Sequence, residues 1–240
     1  MFIAVLFPLS FVAANSEKSP KEIIEAAKSG DAESQATLGS TLFSIEKYPE
    51  ALEWLTKAAE QGHVDSQLIL FGMYAKGLGT KKDETNAVYW LHKAAIAGNP
   101  LAQSQLGLSY SLGKGIKQDY KEAYKWLLKS AEQNYTKAQN LIGYMYFRGD
   151  GVNQDFDKAA AWMRKAANKG DLDSQVFLGT LSLMGEGNFV DYIEGYKWLN
   201  IAANQGSPEA IKNRFEIIEK MSPKQIKEGQ KLSRNWKPEK

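Results

Sequence analysis

The chain of 240 residues has no cysteine and only two histidines, His63 and His92. Without thiols there is no disulfide framework, no thiolate metal site, no cysteine nucleophile and no lipid-modified N-terminal cysteine. Neither histidine has a partner at metal-ligand spacing. His63 follows a helix-stopping glycine and His92 lies two residues after Trp90, so both read as solvated. An excess of either charge is also lacking: 30 basic and 28 acidic residues, well interspersed, leave a formal net charge of +2. Nucleic acid requires a clustered basic face, so that partner class is excluded. The pair Lys81-Lys82 reads as solubilising only. No phosphate loop, nucleophile elbow or zinc motif is present. The expectation is a protein with no catalytic residues, no metal and no cofactor.

Long apolar runs are scarce as well, with one exception. Phe2 to Ala14 is apolar apart from Pro8 and Ser10. It is too short to span a bilayer but suits the core of a signal peptide. Val12 and Ala14 fit the small-residue positions of a cleavage site after Ala14. No Lys or Arg precedes the run, so a start further upstream or an uncleaved anchor fits the same residues. The expected location is periplasmic or secreted, with no stable membrane insertion once residues 1–14 are removed.

What is present is periodic. Trp54, Trp90, Trp126, Trp162 and Trp198 follow one another at intervals of 36 residues. Ala51, Ala87, Ala123, Ala159 and Gly195 stand three residues before them. Ala58-Ala59, Ala94-Ala95, Ser130-Ala131, Ala166-Ala167 and Ala202-Ala203 follow at four and five, and Gly62, Gly98, Asn134, Gly170 and Gly206 at eight. A strict period of this length marks a repeat array, in which each unit buries its apolar stripe only against neighbours.

One repeat, from Lys137 to Asp171, shows the grammar. Ala138, Ile142 and Tyr146 recur every four residues on one helical stripe, with Gly143 leaving room for another helix to approach. Gly149-Asp150-Gly151 ends that helix and turns the chain. Asp155 reads as the N-cap of a second helix, which carries Ala159, Trp162, Met163 and Ala166-Ala167 and stops at Gly170. The same caps recur at Asp83, Asp119 and Asp191. Glu122 and Glu194 stand at capping-box spacing from the last two. Asn134 takes a stop-glycine position, as the non-glycine residue that best tolerates the left-handed region. Lys57, Lys93, Lys129 and Lys165 stand three after a tryptophan and read as solvent-facing or packed along their stems.

The pattern Ala102-Gln103, Leu106-Gly107, Tyr110, Gly113 and Gly115, followed by Asp, Ala, Trp, Ala-Ala and Gly, resembles the Sel-one-like repeat family, a relative of the tetratricopeptide repeat. The resemblance covers about residues 20 to 236. It implies an all-α, right-handed αα superhelical solenoid of about five 36-residue hairpins with capping helices at both ends. The expected layout is a signal segment at 1–14, an N-terminal capping helix at 15–31, five repeats at 32–207 and C-terminal capping helices at 208–240. Ser222-Pro223 opens the final helix, and Trp236 is expected over the last hairpin. The first repeat keeps Gln35, Leu38 and Gly39 but shortens the turn and loses Gly-x-Gly. Phe71 replaces the packing glycine of the second, and Leu42 and Ser182 stand where tyrosine is usual.

The indoles are expected to fill the seams between hairpins, so that Trp126→Ala costs about 3–5 kcal/mol. In a solenoid of this kind the first helices line the inner, concave surface. Counted from the packing glycine, its exposed columns hold Leu68, Ser104, Asn140 and Val176, then Leu108, Tyr144 and Thr180, then Lys76, Leu112, Arg148 and Met184. Phe147 and Leu183 border them. The candidate partner-binding residues are Leu108, Leu112, Asn140, Tyr144, Phe147, Arg148 and Met184, since exposed Tyr and Arg are favoured anchors; burial of some against the next helix is the competing reading. The expected function is a monomeric, exported adaptor that holds a protein or peptide in its concave groove. The alternatives are a cell-wall enzyme or ligand binder, as in cysteine-rich β-lactamase-like relatives, and a secreted effector acting on a host partner.

Overall fold

The computed structural model describes residues 18–185 and 191–239. The expected signal segment and Gly187, the second glycine of the last turn, lie outside them. The described residues form thirteen α-helices and no strand, in two compact units that divide after Gln118. The N-terminal unit holds α1 (Pro20–Lys28), α2 (Ala32–Ser44), α3 (Tyr48–Glu60), α4 (Val64–Lys76), α5 (Glu84–Ile96) and α6 (Pro100–Leu112). The C-terminal unit holds α7 (Tyr120–Glu132), α8 (Thr136–Arg148), α9 (Phe156–Asn168), α10 (Leu172–Met184), α11 (Tyr192–Asn204), α12 (Pro208–Ile218) and α13 (Pro223–Asn235). The fold is an all-α array of helical hairpins.

Local chemistry sets the helix ends. Asp83 accepts from the Asn86 backbone N–H, Asp119 from Lys121 and Glu122, Asp155 from Lys158, and Asp191 from Ile193 and Glu194. Glu122 and Glu194 form no reciprocal capping box; Glu122 pairs with Lys125, and Glu194 with Arg164. The capping boxes lie instead at Ser19–Glu22 and Ser222–Gln225, opening α1 and α13. Asn134 takes φ +64°, and in the shortened first turn Glu46 adopts φ +62° without a glycine.

The tryptophans do not fill the seams uniformly. Trp90 and Trp198 are buried, whereas Trp54, Trp126 and Trp162 are half-buried. The residue after each tryptophan is the constant: Leu55, Leu91, Leu127, Met163 and Leu199 are all at most 1% exposed. The buried stripe runs through the alanines and this residue, and the indole lies 100° away at its edge. Lys57, Lys129 and Lys165 lie over the indoles of Trp54, Trp126 and Trp162, with Nζ 4.3, 4.2 and 3.8 Å from the ring centroid. These lysines therefore make cation–π contacts rather than simply facing solvent.

Two glycine positions govern how closely elements approach. A Cβ on Gly179 would lie 2.2 Å from Leu199 Cγ, so the first helix of a hairpin rests directly on the residue after the tryptophan of the second. A Cβ on Gly151 would lie 2.3 Å from the Tyr120 carbonyl oxygen. The second glycine of the turn thus seats it on the opening of α7, besides reversing the chain.

A ladder of buried glutamines joins successive hairpins. The Nε2 groups of Gln35, Gln67, Gln103, Gln139 and Gln175 donate to the carbonyls of Ala27, Ala59, Ala95, Ala131 and Ala167, at the end of the preceding helix. Gln35 Oε1 accepts from Gln61 Nε2 at 2.8 Å, and Gln175 Oε1 from Gln205 Nε2 at 2.7 Å. The Oε1 atoms of Gln67 and Gln139 are buried with no hydrogen-bond partner. At the C-cap positions matching Gln61 and Gln205 stand Ala97, which has no donor, and Lys169, whose Nζ donates to the Asn134 carbonyl.

A candidate binding cleft in the C-terminal unit

The expected binding columns divide by burial. Leu68, Ser104 and Val176 are buried, and Asn140 is half-buried. Asn140 Nδ2 donates to Asp171 at 3.1 Å and Ser174 Oγ at 2.8 Å, at the opening of α10. Asn140 thus bonds the next first helix, and Val176 packs with Ala210 of α12, so both positions are engaged by a neighbouring first helix of the same unit. Leu108, Tyr144, Phe147 and Thr180 are half-buried, while Lys76, Leu112, Arg148 and Met184 are exposed. Leu108 and Leu112 lie on α6 of the N-terminal unit; Asn140, Tyr144, Phe147, Arg148 and Met184 lie on α8 and α10 of the C-terminal unit.

Tyr144, Phe147 and Met184 come together in a cleft of about 290 Å³ between α8, α10 and the start of α12. Its floor is aromatic. Phe177 meets the Tyr144 ring edge-on at 5.2 Å and the Phe147 ring at 5.1 Å, and Phe147 packs on Phe156 at 5.6 Å. Leu172, Val176 and Leu181 complete the apolar wall. The rigid backing is the buried cluster of Met163, Leu178, Leu181 and Trp198, against which Tyr144, Phe147 and Phe177 pack.

The rim is polar. Asp173 in the first turn of α10 and Glu209 in the first turn of α12 line the cleft at equivalent places one repeat apart. Thr180 Oγ1 accepts from Asn213 Nδ2 at 2.9 Å, and Ser207 caps α12 by accepting from the Ala210 N–H. The Arg148 guanidinium lies 5.9 Å from the Tyr144 ring centroid. Burial holds the Tyr144 hydroxyl above its ordinary pKa; the nearby Asp173, Asp171 and Glu209 carboxylates push the same way, and Arg148 opposes them.

Phe177, Asp173 and Glu209 escaped the sequence reading. The one available signal was that an acid recurs in the first turn of two successive first helices. Of the histidines, His63 is half-buried and caps α4, its Nδ1 accepting from the Ser66 N–H; His92 is half-buried. Among the described residues no group of acidic and histidine side chains is arranged to hold a metal ion, and no helix is long and apolar enough to cross a membrane.

Comparison with known families matches the Sel1 repeat to residues 39–63, 64–99, 100–135, 136–171 and 172–207. The chain belongs to the Sel1 repeat family. Two solved structures of such proteins resemble it. One is a protective antigen present in uropathogenic Escherichia coli strains displaying an SLR fold, 34% identical over 90% of this chain with a TM-score of 0.75. This Sel1 repeat protein spans 47% of that chain, about half its length. The other is a Sel1 repeat protein from Oxalobacter formigenes, 28% identical, covering 90% of this chain and 96% of that one, with a TM-score of 0.67. No curated protein matches the chain.

Proposed function

We propose that this Sel1 repeat protein is an exported, non-enzymatic adaptor that holds a protein or peptide segment in the cleft between α8, α10 and α12. The observation that carries the reading is the cleft itself: exposed Met184 beside a half-buried aromatic floor braced by a close-packed core. An apolar recess with a few polar groups on its rim, held on rigid helices, suits capture of an extended segment. Sel1 repeats commonly mediate contacts between proteins, which supports the same reading. Binding draws on preorganised shape and a small number of anchors, with no bond made or broken. The apolar run at Phe2 to Ala14 supports export to the periplasm or beyond.

Photo-crosslinking in cells tests the proposal. A photoreactive residue at Met184 should yield a discrete crosslinked species, and one at Ala161, exposed on α9, should not. Crosslinking from position 161 alone, or from neither position, would remove the cleft from consideration. N-terminal sequencing of chain recovered from the envelope fraction checks export, with Asn15 as the expected first residue.

A further inference from the structure

The charge around the cleft narrows the choice of partner. Asp173 and Glu209 flank the apolar recess at one end, and neither is paired with a cation among the described residues. Their place in the first turns of α10 and α12 stabilises those helices through the helix dipole. That role does not require them to converge on an apolar wall. Among the described residues no cation lines the cleft, and Arg148 lies over Tyr144 at the C-terminal end of α8, away from the first turns that carry the two acids. The recess is therefore apolar in the middle, acidic between α10 and α12, and basic at Arg148.

We propose that the occupant is a polypeptide segment that seats a Leu- or Phe-sized side chain on the Phe177 floor and sets a lysine or arginine between Asp173 and Glu209. This rests on the protein-binding reading above and specifies its partner. A cleft of about 290 Å³ lies at the lower limit for a whole small-molecule ligand and suits one or two side chains of a longer segment. The apolar side chain provides most of the affinity. The cation fixes register, because reversing the segment would place its charge beside Arg148. An acidic segment meets two like charges at the α10–α12 rim and is rejected.

Two fluorescein-labelled peptides, Gly-Ser-Lys-Leu-Phe-Ser-Ser-Gly and the same sequence with glutamate for the lysine, test this by anisotropy against the full chain. The basic peptide should bind about tenfold more tightly at low ionic strength, as expected for two partly exposed charge pairs, and the gap should narrow as salt is added. In the Asp173→Asn/Glu209→Gln variant the two peptides should bind within about twofold of each other. Both substitutions are at exposed positions, and an unchanged thermal melt verifies the fold. Equal affinities in the unaltered protein, or a preference that survives the double substitution, would overturn the charge assignment while leaving the cleft as a binding site. Failure of both peptides to bind would overturn the proposed segment chemistry, and crosslinking from position 184 would then decide the broader reading separately.

Discussion

The same seam is built twice, once in each unit, and its two versions are closed differently. In the N-terminal unit Leu55 and Ala59 of α3, Leu70 and Met73 of α4 and Trp90 of α5 pack into one cluster. Three repeats later Met163 and Ala167 of α9, Leu178 and Leu181 of α10 and Trp198 of α11 repeat it position for position. Around Trp90, Tyr89 meets the indole edge-on at 5.0 Å and Lys93 Nζ lies 5.9 Å from it. Trp198 is held further. Its Nε1 donates to Glu194 at 3.1 Å, Glu194 takes two bonds from Arg164 at 2.8 and 3.0 Å, and Trp236 meets the indole edge-on at 6.0 Å. Beyond Trp236, the Glu239 N–H donates to the Asn168 carbonyl at 2.8 Å and ties the tail to α9. The N-terminal counterparts of Arg164 and Glu194 are Thr56 and Asn86, which bond the Leu52 carbonyl and Asp83. Periodic residues build the seam, and aperiodic ones decide how well it is sealed.

The tryptophans give the largest test of this difference. Trp198→Ala should cost about 4–5 kcal/mol, Trp90→Ala about 3, and Trp126→Ala, half-exposed under Lys129, about 1–2. Urea titration measures the total, and hydrogen exchange assigns each loss to its unit. Equal costs for all three would show that burial of the indole does not set its worth.

Next in size is the glycine on which Leu199 rests. Gly179→Ala should cost about 2–3 kcal/mol, because the Leu199 side chain it meets is enclosed and cannot swing clear. The position three repeats earlier carries Phe71, half-buried, although Gly39 in the same N-terminal unit meets Leu55 as Gly179 meets Leu199. Phe71→Ala should cost about 1 kcal/mol by thermal melting, and a larger loss than at Gly179 would invert the comparison.

These contrasts show what could be read from the sequence. The 36-residue spacing of the tryptophans made the hairpins, their lengths and their order legible, because each repeat meets a similar neighbour. It did not separate buried indoles from half-buried ones, since Arg164, Glu194 and Trp236 have no counterpart in every repeat. Counting at 100° per residue placed Leu112, Arg148 and Met184 outward correctly, but it treats a helix as isolated. Leu68, Ser104 and Val176 are buried instead, and Val176 packs with Ala210 of the next first helix, which such a count leaves out. The cleft was half legible for the same reason. Tyr144, Phe147 and Met184 follow the repeat register, whereas Phe177 at its floor does not.

The pair of Arg164 and Glu194 should show a pH signature confined to the C-terminal unit. Burial raises the Glu194 pKa, but the hydrogen bonds and charge of Arg164 outweigh it, and the net value falls below the ordinary 4.5. A carboxyl whose folded pKa is depressed contributes stability above its unfolded pKa and loses it as pH falls through the folded value. The contribution is therefore full at neutral pH and declines below about pH 4.5. Glu194→Gln should cost about 2 kcal/mol at pH 7 and flatten the acid limb of the stability profile. An acid limb of unchanged slope would mean that other carboxylates govern it.

The smallest effect has the opposite sign in principle and distinguishes the two units most sharply. Gln35 and Gln175, one in each unit, have a satisfied side-chain carbonyl, and Gln67 and Gln139, again one in each unit, do not. Gln61 and Gln205 supply the missing donor from the C-cap of α3 and α11; Ala97 and Lys169 occupy the same place after α5 and α9 and do not. Ala97 is exposed and takes φ −67°, close to the −81° of Gln61, so a glutamine fits there without backbone change. Ala97→Gln should stabilise the N-terminal unit by about 1 kcal/mol, since a buried orphan acceptor gains a bond and nothing is lost. Lys169→Gln gains the same bond to Gln139 but gives up the 2.7 Å bond from Lys169 to the Asn134 carbonyl, so its net effect should be near zero. A rise in thermal midpoint for Ala97→Gln with none for Lys169→Gln is the expected result. Equal rises would show that the lysine bond contributes nothing, and no rise in either would show that water already satisfies the two carbonyls.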